Sequence, residues 1–418
     1  MSLVKKIVGQ SAVYFLGTVI SVIVGFFFKV YLSRVLGADA LGIYSLGITT
    51  IGVLGIFLSF GYGNGLIRFV SKYKATQNYN KLLSYLTNTS IINLCVVLPI
   101  SILFYFFPEI IAEVLGSVLA FIFLIILIKR LLPRLSDFKR ANFNKEEKKY
   151  SLNLLITNSV LALGRHGDKI VLVYFLSTFE LGIYSVTLTI AAFIPLVLTS
   201  VNSIFSPIIS QLHSQNKLKD LEHYFQLSGR YIFLLSFPLM VFIFLFSKPI
   251  MSLFGNDFIQ GSVLLSFIVI GQLINVSMGS VGLMLQMTGL EKPMRDISIV
   301  TSLVSFLLYF ALISKWGLVG LGVVYIFNIL LQNIACTYVL NKNLNIHLFH
   351  REYIKLIILF CGLCLPSYFF IDGLSLNPNP LFLGSVLIII YTVFIFLWFL
   401  FFSKKDLPQI LNTINFKR

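Results

Sequence analysis

Four ionisable residues stand inside apolar stretches of the sequence. Arg165, Asp168 and Lys169 are spaced i, i+3 and i+4, so they share one face of a helix. Lys29 lies in another apolar stretch, near the N-terminus. A charge at membrane depth is costly and by default faces a cavity. Arg binds anions through two parallel hydrogen bonds and Lys offers a point charge, so the pattern predicts an anion site in which Asp168 neutralises one cation.

The same residues also permit structural explanations. Lys29 is four residues from the end of its apolar stretch, and a lysine side chain can extend from there to the lipid headgroups. Arg165 and Asp168 can form a pair that only stabilises the fold. His166 is more typical of a packed residue than of a proton relay. The sequence alone leaves these alternatives open.

A glycine-rich segment, GYGNG at residues 61–65, has the composition of a phosphate-binding loop. No strand is predicted before it, and no Lys-Ser or Lys-Thr pair follows it, so that interpretation fails. The glycines are more typical of close packing at a helix end. Asn64 and Arg68 then become possible residues of a cleft lining, although Arg68 is equally explained as an ordinary cytoplasmic charge.

The composition indicates which elements must position these residues. The chain has 418 residues, of which 57% are hydrophobic and only 11% charged, and its mean hydropathy is +0.92. Soluble domains have about 25% charged residues, so this chain is predicted to be an integral membrane protein. The formal net charge of +16 then reflects cytoplasmic loops, and a nucleic-acid partner is not expected.

The cysteines do not indicate a cofactor or metal site. All four lie in apolar stretches, and none has a His or acidic partner at metal-ligand spacing. Cys361 and Cys364 form a C-x-x-C, but inside a hydrophobic run that lacks the usual loop context of a redox or zinc site. We therefore expect no metal, no cofactor and no catalytic centre.

Apolar runs long enough to cross a bilayer, about 20 residues each, follow one another along the whole chain. They predict an all-α, polytopic membrane protein with about twelve transmembrane helices, both termini cytoplasmic. Most Lys and Arg residues then fall in cytoplasmic segments, as expected for loop charge. The predicted spans are residues 11–33, 41–60, 85–107, 113–131, 152–176, 181–207, 231–254, 259–287, 297–313, 318–340, 354–371 and 381–402.

An internal repeat relates two parts of the chain. Residues 29–49, KVYLSRVLGADALGIYSLGIT, align with residues 169–189, KIVLVYFLSTFELGIYSVTLT, at a constant offset of 140 residues. Lys29 aligns with Lys169, and the pentapeptide LGIYS recurs unchanged. The step covers an even number of spans, so equivalent helices run in the same direction. The repeat predicts two pseudo-symmetric parallel lobes, an arrangement in which transporters hold substrate between lobes.

Several segments resemble the Wzx-type polysaccharide flippases of the multidrug, oligosaccharidyl-lipid and polysaccharide exporter superfamily. They are LGADALGIYSL, SFGYGNGLIRFVSKY, GRHGDKIVLVYFLSTFELGIYS, SIFSPIISQLHSQNKLKDLEHYF and KWGLVGLGVVYIF. The resemblance covers nearly the whole chain. It implies a non-enzymatic protein that turns an oligosaccharide, carried on a polyprenyl diphosphate, to the outer leaflet for surface polysaccharide synthesis. The cations Lys29, Arg165 and Lys169 would then attract the diphosphate.

The predicted domain organisation departs from that family. The repeat offset leaves room for four helices in an N-terminal lobe, residues 1–132, where family members usually have six. A basic cytoplasmic linker follows at 133–150, then a six-helix lobe at 151–341, and two further helices with a tail at 342–418. A shortened first lobe is compatible with a reduced, partner-dependent or inactive protein.

Two other functions are compatible with the sequence. The first is an antiporter for drugs or metabolites, coupled to H⁺ or Na⁺. It should carry several acidic residues deep in a lobe, and because Asp168 is the only clear intramembrane acid in the sequence, this function ranks lower. The second is a non-transporting scaffold of a polysaccharide-synthesis complex. Expected partners are the lipid-linked oligosaccharide, membrane lipids, a coupling ion, and a polymerase or glycosyltransferases. The expected location is the cytoplasmic membrane.

Overall fold

A computed structural model describes residues 3–58 and 145–346, together with residues 73, 78, 80–82, 84–89, 385, 388–390 and 392–394. All regular elements within these residues are helices, which confirms the predicted all-α fold. The number of spans stays a prediction, since most of spans three, four, eleven and twelve, with Asn64 and Arg68, lies outside the described residues. The elements are α1 Leu3–Leu58, α2 Lys145–Phe175, α3 Thr178–Ala191, α4 Phe193–Ser214, α5 Leu218–Leu245, α6 Ser247–Ser252, a 3₁₀ helix Asn256–Gly261, α7 Ser262–Ser277, α8 Val281–Met287 and α9 Glu291–Leu344.

The two longest helices, α1 and α9, are each broken once. In α1 the break is at Gly37, with φ 75° and ψ −179°, and in α9 it is at Gly317, with φ 56° and ψ −133°. Residues other than glycine rarely adopt these backbone angles. Both breaks fall in connections that the hydropathy pattern predicts, between spans one and two and between spans nine and ten.

The predicted sixth span is divided into α3 and α4 at Ala192. Pro195 lies in the first turn of α4 and has no N–H to donate to the carbonyl of Ala191. The chain accommodates this with a break where Ala192 N still donates to Leu188 O at 3.0 Å. The predicted sixth span therefore consists of two helices joined at Ala192 rather than one unbroken helix.

Helix α5 begins at Leu218, well before the predicted start at residue 231. Its first turns are too polar to be part of a membrane span, but they are amphipathic. Leu221 and Phe225 share one face and are buried, with exposed fractions of 0% and 2%. Hydropathy alone identifies the membrane part of this helix and misses its extension.

Five helical stretches of the described residues are long and apolar enough to cross a membrane, which supports a multi-pass membrane protein. They are Gly17–Val53, Thr178–Ser203, Leu218–Leu245, Asn256–Ser277 and Glu291–Leu344. Helix α2, which carries three of the predicted site residues, is not among them. It begins at Lys145, inside the predicted linker.

The chain forms two compact units, one of Met1–Ser45 with Asp168–Arg418 and one of Leu46–Gly167. In the first unit a large apolar core surrounds α5, with Phe233 stacked on Phe237 at 4.9 Å between ring centroids. Helix α1 joins this core through Phe26, whose ring packs edge-to-face on Phe193 and Phe254, both at 5.4 Å.

In the second unit, the described residues show one clear helix start. Asn78 is not helical, and its Oδ1 accepts from Lys81 N at 3.2 Å, which is the bond of an N-cap. Residues 80–82 and 84–89 are helical, so the predicted third span begins before residue 85.

Candidate functional site

Lys29 is held on α1 by two groups from the other arm of the same broken helix. Its Nζ donates to Ser45 Oγ at 3.3 Å and lies 5.7 Å from the centroid of the Tyr44 ring. Ser45 is buried and donates in turn to Leu41 O at 2.8 Å. The distance to Tyr44 is within the range of a cation–π contact. The half-buried cation is thus held by groups of its own helix, and its place in a cavity stays a prediction.

Asp168 is the buried acid of the predicted set, with 7% of its surface exposed. Its Oδ2 accepts from the Tyr184 hydroxyl at 2.5 Å, and its Oδ1 accepts from the backbone N–H of Lys169 at 2.8 Å. The bond from Tyr184 joins α3 to α2, whereas the bond from Lys169 is local to α2.

The repeat places a tyrosine at the same position in each half, with different partners. Tyr44 faces the cation Lys29, whereas Tyr184 donates to the acid Asp168. The duplicated segment therefore holds a positive group in its first copy and a negative group in its second. The sequence predicts Lys29 and Asp168 as site residues. Its only sign of their tyrosine partners is the recurrence of LGIYS.

The remaining predicted site residues are distributed over both units. Lys169 is half-buried in the first unit, while Arg165 lies on α2 in the second unit and has an exposed side chain. One helix thus carries Arg165, Asp168 and Lys169 at the predicted spacing, but of these three residues only Asp168 is buried. The role of Arg165, Asp168, Lys169 and Lys29 in binding a substrate stays a prediction.

The two copies of the repeat meet at a close contact that we call the glycine crossing, formed by residues 38–42 and 178–182. A methyl group added to Gly42 would overlap the carbonyl oxygen of Thr178 and lie 3.1 Å from Gly182 N. One added to Gly182 would overlap the carbonyl oxygen of Ala38 and lie 3.2 Å from Gly42 N. Because Ala38 and Thr178 are also equivalent in the repeat, a pseudo-two-fold axis passes through this point.

Side chains reinforce the glycine crossing. Thr178 Oγ1 donates to Asp39 Oδ1, and farther along α1 the Arg34 Nε donates to Leu253 O at 2.8 Å. Both lie on the side of the bundle that the loop charges predict to be external. The symmetry that relates the halves of the crossing also relates Lys29 to Lys169.

The bond between Tyr184 and Asp168 should contribute measurably to stability. Tyr184→Phe removes the hydroxyl and leaves a buried carboxylate oxygen without its donor, so we expect a loss of about 1.5–3 kcal/mol. Thermal unfolding of purified protein in detergent would show this as a lower melting temperature. Tyr44→Phe is the matched control, because Tyr44 is 41% exposed and a Phe ring can still face Lys29. Equal melting temperatures for the two variants would contradict the assignment.

Two protein families match parts of the chain. A family described as polysaccharide biosynthesis protein matches residues 7–146, and a family described as MatE matches residues 155–311. No curated protein sequence matches the chain. The solved structure titled "Lipid II flippase MurJ, inward closed conformation" is similar to this one, with a TM-score of 0.67 and 15% sequence identity. The similarity covers 93% of this chain and 99% of the other, so the two share one fold.

Proposed function

Because the chain belongs to the multidrug, oligosaccharidyl-lipid and polysaccharide exporter superfamily, we propose that it moves a lipid-linked oligosaccharide across the cytoplasmic membrane. Its relatives are transport proteins rather than enzymes. The proposed substrate is a polyprenyl-diphosphate-linked oligosaccharide for surface polysaccharide synthesis. The description of the family that matches residues 7–146 supports this choice.

The observation that carries the proposal is Lys29, a half-buried cation in an apolar part of α1 near the glycine crossing. It is eight residues from the break at Gly37, which is about 12 Å along a helix. A diphosphate that reached this depth would lose its hydration water, and Lys29 and its repeat equivalent Lys169 would take the place of that water. We place Asp168 beside them as the group that limits the net positive charge, and Arg165 as a further cation of α2.

Movement of the substrate would follow from the duplicated architecture. In the proposed cycle, the closed glycine crossing would seal the external end of a pathway between the repeats. The pathway would then open to the cytoplasm, in the orientation with both termini in the cytoplasm. Opening the crossing would release the diphosphate and sugar to the outer leaflet. Such alternation about a pseudo-symmetry axis is common in transporters with internal repeats.

The test is lipid exchange in liposomes. Purified protein is reconstituted with a fluorescent polyprenyl-diphosphate-linked disaccharide, and exchange between leaflets is followed by quenching from outside. We expect the wild-type protein to exchange the lipid and Lys29→Ala to slow it about tenfold or more, since the lost charge-assisted contacts contribute more than 1.4 kcal/mol. Lys29→Arg should retain most of the rate.

Lys315→Ala is the matched control, because Lys315 is exposed near the break in α9 and its loss changes the net charge equally. If exchange by the wild-type protein does not exceed that of protein-free liposomes, the proposed function is wrong. If Lys29→Ala and Lys315→Ala exchange at the same rate, the site is wrong and the function stands.

A cation-coupled antiporter is the second candidate. The buried Asp168 and the match to the MatE family over residues 155–311 favour it. In that case Asp168 would bind the coupling ion, H⁺ or Na⁺. The same liposomes distinguish the candidates, because an antiporter would move a cationic dye against an imposed H⁺ or Na⁺ gradient without moving the lipid. Movement of neither would favour a scaffold for polymerase or glycosyltransferase partners.

A further inference from the structure

A cavity of about 330 Å³ lies within the first unit, among α4, α7, α8 and α9. Its volume is at the lower end of ligand pockets, which range from about 300 to 1,000 Å³. All its lining residues are uncharged. Those with hydrogen-bonding side chains include Asn202, Gln272, Asn275, Tyr325, Gln332 and Asn333. Such groups in a hydrophobic bundle are costly unless they are hydrogen-bonded, either to one another or to a polar occupant.

Three of the amides form a chain of hydrogen bonds along the cavity wall. Asn333 Nδ2 donates to Asn275 Oδ1 at 3.3 Å, and Asn275 Nδ2 donates to Gln272 Oε1 at 3.3 Å. Gln272 Nε2 donates to the Tyr325 hydroxyl oxygen at 2.6 Å, so that hydroxyl keeps its own hydrogen for another acceptor. The chain fixes the orientation of each amide and presents a preformed surface.

Other polar atoms of the lining have no recorded partner within the part of the chain that the structure describes. Asn202 Oδ1 accepts from Ser280 Oγ, which leaves the Asn202 amide N–H groups for the cavity. Asn333 donates to Ile329 O at 2.9 Å as well as to Asn275, which leaves its side-chain oxygen. The lining therefore offers amide donors from Asn202 and an amide acceptor from Asn333.

The backbone is irregular at the same place. Helix α7 ends at Ser277 and α8 begins at Val281, although hydropathy predicts one continuous span over 259–287. Gly279 and Ser280, in the interruption, line the cavity. Broken helices in membrane proteins are tolerated where the irregular backbone lines a cavity, and in transporters they often form substrate sites.

From these observations we infer that the cavity binds an uncharged, hydroxyl-rich group, namely a sugar unit. Amides pair with hydroxyl groups as both donors and acceptors, whereas a diphosphate requires cations and the lining has none. A metal ion would need several free oxygens, and those of Gln272 and Asn275 are engaged within the hydrogen-bonded chain. The further claim that this sugar belongs to the transported lipid rests on the proposed function. In that case the cavity would hold the sugar portion of the lipid.

Cys336 lines the cavity and is 3% exposed, so it provides a native reporter that reacts slowly. The other three cysteines are replaced by serine, and the rate of Cys336 modification by a small methanethiosulfonate is measured in detergent. The probes are glucose, galactose, N-acetylglucosamine, inorganic diphosphate and tetramethylammonium. We expect at least one of the sugars to slow the modification about fivefold or more at saturation, and the two ions to have no effect. Absence of protection by all three sugars, or protection by an ion instead, overturns the inference.

Variants of the lining test the assignment to the amides. Asn275→Leu and Asn333→Leu should raise the half-protecting sugar concentration about three- to tenfold, the effect of one or two lost hydrogen bonds. If those two variants do not fold, Asn202→Ala replaces them as the test. Within the described residues the Asn202 side chain has a hydrogen bond only with Ser280, so this variant disturbs less of the structure. The control is Asn328→Leu, an amide of the same helix that does not line the cavity. Equal shifts in the control and the lining variants also overturn the inference.

The outcome is independent of lipid exchange. A protein that exchanges the lipid in liposomes while sugars leave Cys336 unprotected keeps the proposed function and loses the sugar site. A protein whose Cys336 is protected by a sugar but that exchanges no lipid keeps the sugar site and loses the proposed function.

Discussion

Gly182→Val is expected to prevent the closed state of the glycine crossing and to lower lipid exchange about ten- to a hundredfold. The new side chain would overlap the carbonyl oxygen of Ala38, a backbone atom that cannot rotate away. Overpacking of this kind costs about 1–3 kcal/mol, and each 1.4 kcal/mol shifts a conformational equilibrium tenfold. Gly42→Val should act in the same way, because the crossing is symmetric and the overlap there is with Thr178 O.

Two measurements check this expectation. Lipid exchange in liposomes reports the rate. Labelling of Ala38→Cys with a membrane-impermeant maleimide reports whether the crossing has opened, because the Ala38 side chain is only 2% exposed when the crossing is closed. Gly47→Val is the matched control on α1, since no described atom lies within 4 Å of its added methyl group. Wild-type exchange and labelling in Gly182→Val would show that the close contact has no role in the transport cycle.

The second large effect is expected from a covalent bridge across the same contact. Asp39→Cys with Thr178→Cys places thiols where Thr178 Oγ1 now donates to Asp39 Oδ1. In a background without the native cysteines, a disulfide or a short bifunctional thiosulfonate should join them. If the crossing must open in each cycle, the bridged protein should lose nearly all lipid exchange, and a reductant should restore it.

Each single cysteine variant, treated identically, is the control for loss of the Asp39 and Thr178 side chains. Cross-linking is detected as a changed electrophoretic mobility after the chain is cleaved between residues 39 and 178. Full exchange by protein that is demonstrably cross-linked would exclude opening at this contact, and the pathway would then have to lie elsewhere in the bundle.

The sequence predicts much of this architecture because the relevant signals are local. Hydropathy marks apolar helices, and the breaks at Gly37 and Gly317 fall where it predicts connections. The repeat predicts that residues 29–49 and 169–189 are equivalent. The contact between Gly42 and Gly182 agrees with that equivalence, although alignment alone does not reveal that equivalent glycines touch.

The site is less predictable, since its partners are distant in sequence. Asp168 and Lys29 stand out as charges among apolar residues, but their neighbours Tyr184 and Tyr44 look like ordinary interfacial aromatics. The amides of the cavity, such as Asn275 and Asn333, are single polar residues on different helices, and only packing brings them together. The break at Ala192 does have a local signal, namely Pro195.

Helix α2 has a consequence for how this protein enters the bilayer. At the centre of a membrane helix, Arg, Lys or Asp raises the apparent insertion free energy by about 2.5–3.5 kcal/mol per residue, and α2 carries Arg165, Asp168 and Lys169 close together. A segment of this polarity does not leave the translocon for lipid by itself. We expect it to remain at the translocon until α3 emerges from the ribosome, when Tyr184 can meet Asp168 and both partition as a pair.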